Sequence, residues 1–186
     1  QMRVFEREAG DPKRITIYAE NYGQRYTIAE PNGLYDKHPL LEAAIDFMRV
    51  PADVGIEVSI FSEAPSGCST GTSADVSVAL IGALDCLTPG RMTPHETAAV
   101  AQRIETELLK QQCGIQDQIA AAYGGINYID MYEYPHASVS PVRVPDPIWW
   151  ELESRLSLIF VGQSHSSSEI HEMVIRELEN AGPDAP

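Results

Sequence analysis

Three stretches of this chain carry residues whose types and spacing could do chemistry. The first is Glu63-Ala64-Pro65-Ser66-Gly67-Cys68-Ser69-Thr70-Gly71-Thr72-Ser73-Ala74. Small residues let a backbone approach a ligand closely, and the N–H groups that open a following helix attract phosphate. No Lys follows the second glycine, so this is not a Walker A loop. Read alone, it is equally a small-residue turn that caps a helix. The second stretch is Cys113-Gly114-Ile115-Gln116-Asp117-Gln118, followed by Ala121-Ala122-Tyr123-Gly124-Gly125. An acid at the start of a helix, behind a glycine turn, can be held toward a ligand. Alone, Asp117 reads first as a helix-capping acid. The third is Glu105, upstream of Asp117, a candidate Mg²⁺ ligand beside a hydroxyl. Alone it reads as a solvated face residue, with Glu107 as its nearby decoy.

These residues need elements to position them. Residues 14–19 alternate, with Ile15 and Ile17 on one face, and predict a strand whose hairpin partner includes Tyr26, Thr27 and Ile28. Leu41, Ala44, Ile45 and Met48 recur at helical spacing behind Pro39, a first-turn residue. Val54, Ile56, Val58 and Ile60 alternate in a second strand, which feeds the small-residue loop. Residues 71–87 read as a nearly all-apolar, buried helix. Thr93-Pro94-His95-Glu96 is a capping box, and the helix it opens runs to about Lys110. A loop over 111–115 leads to a short helix that ends at Gly124-Gly125. Residues 126–131 and 139–144 read as strands, Pro141, Pro145 and Pro147 as a connection, 156–161 as a buried strand and 167–178 as a helix.

Bulk properties narrow the partners. With 186 residues and 44% apolar content, the chain can bury one sizeable core, or one core and part of a second. A formal net charge of −14 repels nucleic acid and anionic lipid. It does not exclude a phosphorylated small molecule, because local cations outweigh the global field. Three cysteines without a CxxC argue against a disulfide framework or a zinc site and for a reducing, cytoplasmic setting. The sequence shows no membrane-length apolar run and no signal peptide. Gln1 and the final Gly182-Pro183-Asp184-Ala185-Pro186 read as cut ends of a longer protein. The set His165, Glu169, His171 and Glu172 is a weaker metal reading than a serine-rich capping turn. Trp149-Trp150 reads as packing or a domain contact, and Cys113 as structural.

Taken together, the three stretches resemble one family. The loop resembles the P-x-x-G/S-x-x-S/G-S-S/A signature of the GHMP kinases (galactokinase, homoserine kinase, mevalonate kinase, phosphomevalonate kinase). Gly114-Ile115-Gln116-Asp117-Gln118 with Tyr123-Gly124-Gly125 resembles the segment around the catalytic aspartate of its sugar kinases. The similarity spans about residues 54–172 and is strongest to bacterial heptose-phosphate kinases and their fucose-kinase-like relatives. Two features depart from the family. Ser69-Thr70 stands where Gly-Leu is usual, and the N-terminal substrate motif and C-terminal glycine-rich motif are missing, as in a truncated chain.

The resemblance implies an α+β fold. Residues 1–150 would form an ATP-binding domain of the ribosomal-protein-S5-domain-2-like type, and 151–186 the start of a ferredoxin-like C-terminal domain. It implies ATP and Mg²⁺ as cofactors, with Pro65, Gly67, Ser69, Thr70, Gly71, Thr72 and Ser73 around the phosphates. Ser73 and Glu105 would hold Mg²⁺, and Asp117 would act as base. The reaction would transfer the γ-phosphoryl group to a hydroxyl of a sugar or sugar phosphate. A mevalonate-type or other polyol acceptor stays open, as do a non-catalytic sugar- or nucleotide-binding relative and a homodimer. Without the two missing motifs, the 186-residue chain alone is expected to lack appreciable turnover.

Overall fold

Alternating Ile15, Ile17 and Ala19 turn their side chains into the core from β2 (Ile15–Ala19), while Thr16 and Tyr18 face the other way. The computed structural model describes residues 1–6, 14–28, 33–64, 68–159 and 167–181. A 3-10 turn over Glu20–Tyr22, closed by Gly23 at φ 60°, reverses β2 into β3 (Gln24–Ile28). The two strands pair antiparallel, Ile17 opposite Tyr26. The chain then crosses through α1 (Pro39–Met48) and returns as β4 (Val54–Ile60), parallel to β2 with Ile17 opposite Val58. The N-terminal strand β1 (Met2–Glu6) adds antiparallel to the free side of β4, giving the order β1-β4-β2-β3.

Helices cover one face of this sheet. They are α1, α2 (Thr72–Asp85) and α3 (Pro94–Arg103); α4 (Gln116–Tyr123) packs on α2 and α3 instead. Ile15, Ile17, Ile56 and Val58 from the sheet meet Ile45 of α1, Leu80, Ile81 and Leu84 of α2, and Ile104. Each such side chain, fully buried, contributes roughly 1.5–3 kcal/mol. A second cluster, Ala98, Ile115, Ile119 and Ala137, ties α3 and α4 to the hairpin β5 (Asn127–Glu133) and β6 (His136–Pro141). Beyond the hairpin lie α5 (Asp146–Arg155) and the exposed, amphipathic α6 (Ser167–Ala181).

The capping box is present in full. Thr93 Oγ1 accepts from the N–H of Glu96, and the Glu96 carboxylate accepts from the N–H of Thr93. Elsewhere the structure departs from the sequence reading. The helix that α3 begins does not continue as an α-helix to Lys110, because Ile104–Leu108 is a π turn, closed by the N–H of Leu109 on the carbonyl of Ile104. The strand expected over 139–144 lies earlier, at His136–Pro141. The three prolines are not only a connection: Pro145 precedes α5, and proline in its first turn helps to open it. Leu156–Ile159 is not a buried strand. Leu158 is 74% and Ile159 81% exposed, and no described strand pairs with this segment; residues 160 and 161 lie outside the described residues.

Candidate active site

A cleft of about 860 Å³ opens where the C-terminal ends of β2 and β4 meet the N-termini of α1, α2 and α4. That is within the usual size for a small-molecule site. Its floor is the small-residue loop. Asn21, on the 3-10 turn, anchors the loop's origin with both ends of its amide: Nδ2 donates to the carbonyl of Ser62 at 2.6 Å, and Oδ1 accepts from the Ser62 N–H at 2.8 Å. Pro65, Ser66 and Gly67 lie outside the described residues. Downstream, Cys68 Sγ, Thr70 Oγ1 and Thr72 Oγ1 form a chain of hydrogen bonds, each 3.0 Å. The Thr70 hydroxyl draws the Cys68 thiol below its ordinary value. Ser69 and Gly71 both take left-handed backbone, φ 60° and 71°. The chain thereby turns into α2 with no side chain capping its first turn. Uncapped N–H groups at a helix start suit an anion. Ser69, Thr70, Gly71, Thr72 and Ser73 all line this cleft.

The acidic wall comes from two other elements. Asp117 sits in the first turn of α4, and no side chain caps that helix, so Asp117 is not the capping acid it resembles in isolation. It stands against Gly71 instead. A β-carbon built on the glycine would lie 3.5 Å from Asp117 Cγ and 3.7 Å from Oδ2. Glu105 lies in the π turn and is only 6% exposed. Glu105 continues the buried stripe of Ala98, Ala101 and Gln102 and lines the cleft, whereas Glu107 is exposed and pairs with Arg103 at 2.9 Å. Gln118 Nε2 donates to Glu105 Oε1 at 2.8 Å.

Electrostatically this wall carries excess negative charge. Burial pushes the Glu105 carboxyl above its ordinary value; the Gln118 hydrogen bond opposes the rise, and the Asp117 charge adds to it. Asp75, in the first turn of α2, is raised by burial and again by Asp117. Burial, Glu105 and Asp117 together push the Cys113 thiol up to about 12, against the hydrogen bond from Gln118. A thiol so held stays protonated at neutral pH, which disfavours it as a nucleophile. Carboxylates that raise one another favour a cation between them. Among the described residues no three His, Cys, Asp or Glu side chains form a metal cage. His171 reaches the cleft edge, Glu172 pairs with Arg176, and His165 lies outside the described residues.

Three groups of residues escaped the sequence reading. Asn21 is one. The second is the wall facing the acids, where His38 packs against Tyr22 and Tyr26 with ring centroids 5.2 and 5.9 Å away. Buried Glu42 holds that wall by accepting from the N–H groups of Asp36, Lys37 and His38 and from the Tyr26 hydroxyl. The third is a brace behind Asp117: Gln102 Nε2 donates to the Tyr134 hydroxyl at 2.8 Å, which donates to the Cys113 carbonyl at 2.9 Å. The Asn21-Tyr22-Gly23 turn carries a local sequence signal. The bonds of Glu42 to the N–H groups of 36–38 are local too, but the His38 ring contacts and the Tyr134 brace join residues far apart in the chain.

Comparison with known proteins places this arrangement. The profile of the "GHMP kinases N terminal domain" matches residues 39–125. The D-glycero-alpha-D-manno-heptose 7-phosphate kinase of Campylobacter jejuni is 32% identical over 127 residues, 68% of this chain and 37% of that protein. The mevalonate kinase of Pyrococcus abyssi is 31% identical over 138 residues, 73% of this chain and 37% of that protein. The chain thus spans well under half the length of these relatives. Two solved structures share the fold. A D-glycero-D-manno-heptose 1-phosphate kinase from Bacteroides thetaiotaomicron has a TM-score of 0.68 and 24% identity, over 82% of this chain and 51% of that one. A putative sugar kinase from Campylobacter jejuni has 0.70 and 24%, over 97% and 57%. The segment that holds Gly71, Glu105 and Asp117 together belongs to the GHMP kinases and is their N-terminal domain.

Proposed function

We propose that this chain is the nucleotide-binding part of an ATP- and Mg²⁺-dependent kinase that phosphorylates a hydroxyl of a sugar or sugar phosphate, heptose phosphate in particular. The observation that carries the reading is the convergence of the uncapped start of α2 with Asp117 and buried Glu105 in one cleft. The N–H groups of 71–73 would hold phosphate oxygens, with Pro65, Gly67, Ser69 and Thr70 shaping the loop. Mg²⁺ takes one or two protein ligands beside phosphate oxygens, so Ser73 and Glu105 suffice without a cage. When bound, the cation neutralises charge on the transferring phosphoryl group. Asp117 orients the acceptor hydroxyl and takes its proton. The protein's work is otherwise positioning and charge stabilisation.

The reading includes an S5-domain-2-like architecture for residues 1–150 and the beginning of a ferredoxin-like domain at 151–186. The matches to archaeal mevalonate kinases support a second reading, in which the acceptor is mevalonate-like or another polyol. Acceptor-dependent ADP release by the natural full-length protein, measured across sugars, heptose phosphates and mevalonate, separates the two. Release with sugar phosphates only supports the first reading. Release with mevalonate only supports the second, and binding of sugar or nucleotide without any release indicates a non-catalytic relative.

A further inference from the structure

Gln118 is used on one side only. It is 3% exposed, on the inward face of α4 beside Ile119. Its Nε2 donates to Glu105 Oε1 at 2.8 Å, while its Oε1 is buried without a hydrogen-bond partner. A buried carbonyl oxygen without a donor is costly. Turning the amide over would not help, since it would set two acceptor oxygens against each other whenever Glu105 is ionised. Gln118, Glu105, Asp117 and Ser73 line the same cleft.

We infer that Gln118 is the positioning residue for the divalent cation: it occupies Oε1 of Glu105, leaves Oε2 for the cation, and offers its own Oε1 to a cation-bound water. The inference rests on the reading of Glu105 as a cation ligand. Outer partners of this kind fix the orientation of a ligating carboxylate and share in the binding energy. The unpartnered oxygen and the bond to Glu105 are then two ends of one device, and the missing donor is supplied when the site fills.

The test uses Mn²⁺ in place of Mg²⁺. Its binding to the full chain, saturated with a non-hydrolysable ATP analogue, is followed by electron paramagnetic resonance. Gln118→Met removes both polar ends, and Gln118→Asn draws the amide back by one methylene. Each is expected to weaken Mn²⁺ binding by about tenfold or more, with metal-free nucleotide affinity unchanged. Introduced into Glu105→Gln, Gln118→Met should cost less than it does in the wild type, a non-additivity that a purely structural role would not produce. Wild-type Mn²⁺ affinity in both Gln118 variants, with Glu105→Gln weakened, overturns this inference alone. Wild-type affinity in Glu105→Gln overturns the cation assignment beneath it. If Gln118→Met fails to fold, Gln118→Asn, which keeps an amide in the pocket, carries the measurement.

Discussion

Gly71 stands so close to Asp117 that a β-carbon on the glycine would lie 3.5 Å from the aspartate's carboxyl carbon. The first turns of α2 and α4 thus meet edge to edge, and the left-handed backbone of Gly71, φ 71°, makes the meeting possible. Gly71→Ala keeps ordinary van der Waals distance from Asp117 but strains the backbone by about 1–2 kcal/mol. Its melting temperature should fall while some nucleotide affinity survives. Gly71→Asp adds a carboxylate where phosphate is expected. Calorimetric titration with MgATP should show no binding, and wild-type affinity in this variant would remove the loop from the phosphate site.

Glu105 and Glu107 are two residues apart and have opposite surroundings. Glu105→Gln should raise the Mg²⁺ concentration needed for half-maximal activity in the full-length enzyme. Glu107→Gln loses only an exposed pair with Arg103 and should be silent. A shifted Mg²⁺ requirement in the Glu107 variant instead would mean that Glu107, not Glu105, serves the cation.

The same Glu105→Gln change should stabilise the fold at neutral pH. Burial first, and the Asp117 charge after it, raise the folded-state pKa of Glu105 above its unfolded value. Its ionisation therefore opposes folding. The penalty is absent below the unfolded carboxyl pKa and grows as pH rises toward the folded one, by about 1.4 kcal/mol for each unit of displacement. A carboxamide can still accept from Gln118 and never ionises. Melting curves of both proteins from pH 4 to 8 should coincide at the acid end and diverge above it, with the variant higher. A variant that melts lower at neutral pH would show that the ionised carboxylate stabilises the fold, against the direction of its shift.

Much of this arrangement is legible in the sequence where the signal is local. Ile15 and Ile17, the alternation from Val54 to Ile60 and the Thr93–Glu96 capping box each declare their element within a few residues, and the structure has all three. β1 escapes because Met2–Glu6 mixes charged and apolar residues on an edge strand that exists only by pairing with β4. The apolar run from Leu156 to Ile159 misleads for the reverse reason, having strand composition without a described strand beside it. Within the site, the types and order of Gly71, Glu105 and Asp117 are visible through resemblance. The π turn at Ile104–Leu108, and the bonds joining Gln102 to Tyr134 and Gln118 to Glu105, are products of tertiary packing and have no period to read.

The Tyr134 brace supports the loop in front of Asp117. Tyr134→Phe keeps the ring and removes the hydroxyl that Gln102 donates to and that donates to the Cys113 carbonyl. Leaving a buried amide without its partner costs about 1–3 kcal/mol. Amide hydrogen exchange should accelerate over 113–118 while the core strand β4 keeps its protection. Unchanged exchange in the loop would show that α4 alone holds Asp117 in place.

Asp117 itself gives the sharpest division between a kinase and a binding relative. Asp117→Asn preserves size and can still orient a hydroxyl, but cannot take a proton at neutral pH. If Asp117 is the base, kcat in the full-length enzyme should fall by roughly 10²–10⁴. The carboxylate's own repulsion of phosphate is lost at the same time, so ATP affinity should hold or rise slightly rather than fall. That split, lower kcat without weaker nucleotide binding, is the mark of a group that acts in the transition state. A parallel loss of both would instead mean that Asp117 serves the fold at its contact with Gly71, and that the proton is taken elsewhere. Kinetics and calorimetry on the same preparation distinguish the two, with Gln116→Ala, a change in the same helical turn, as the control for local disruption.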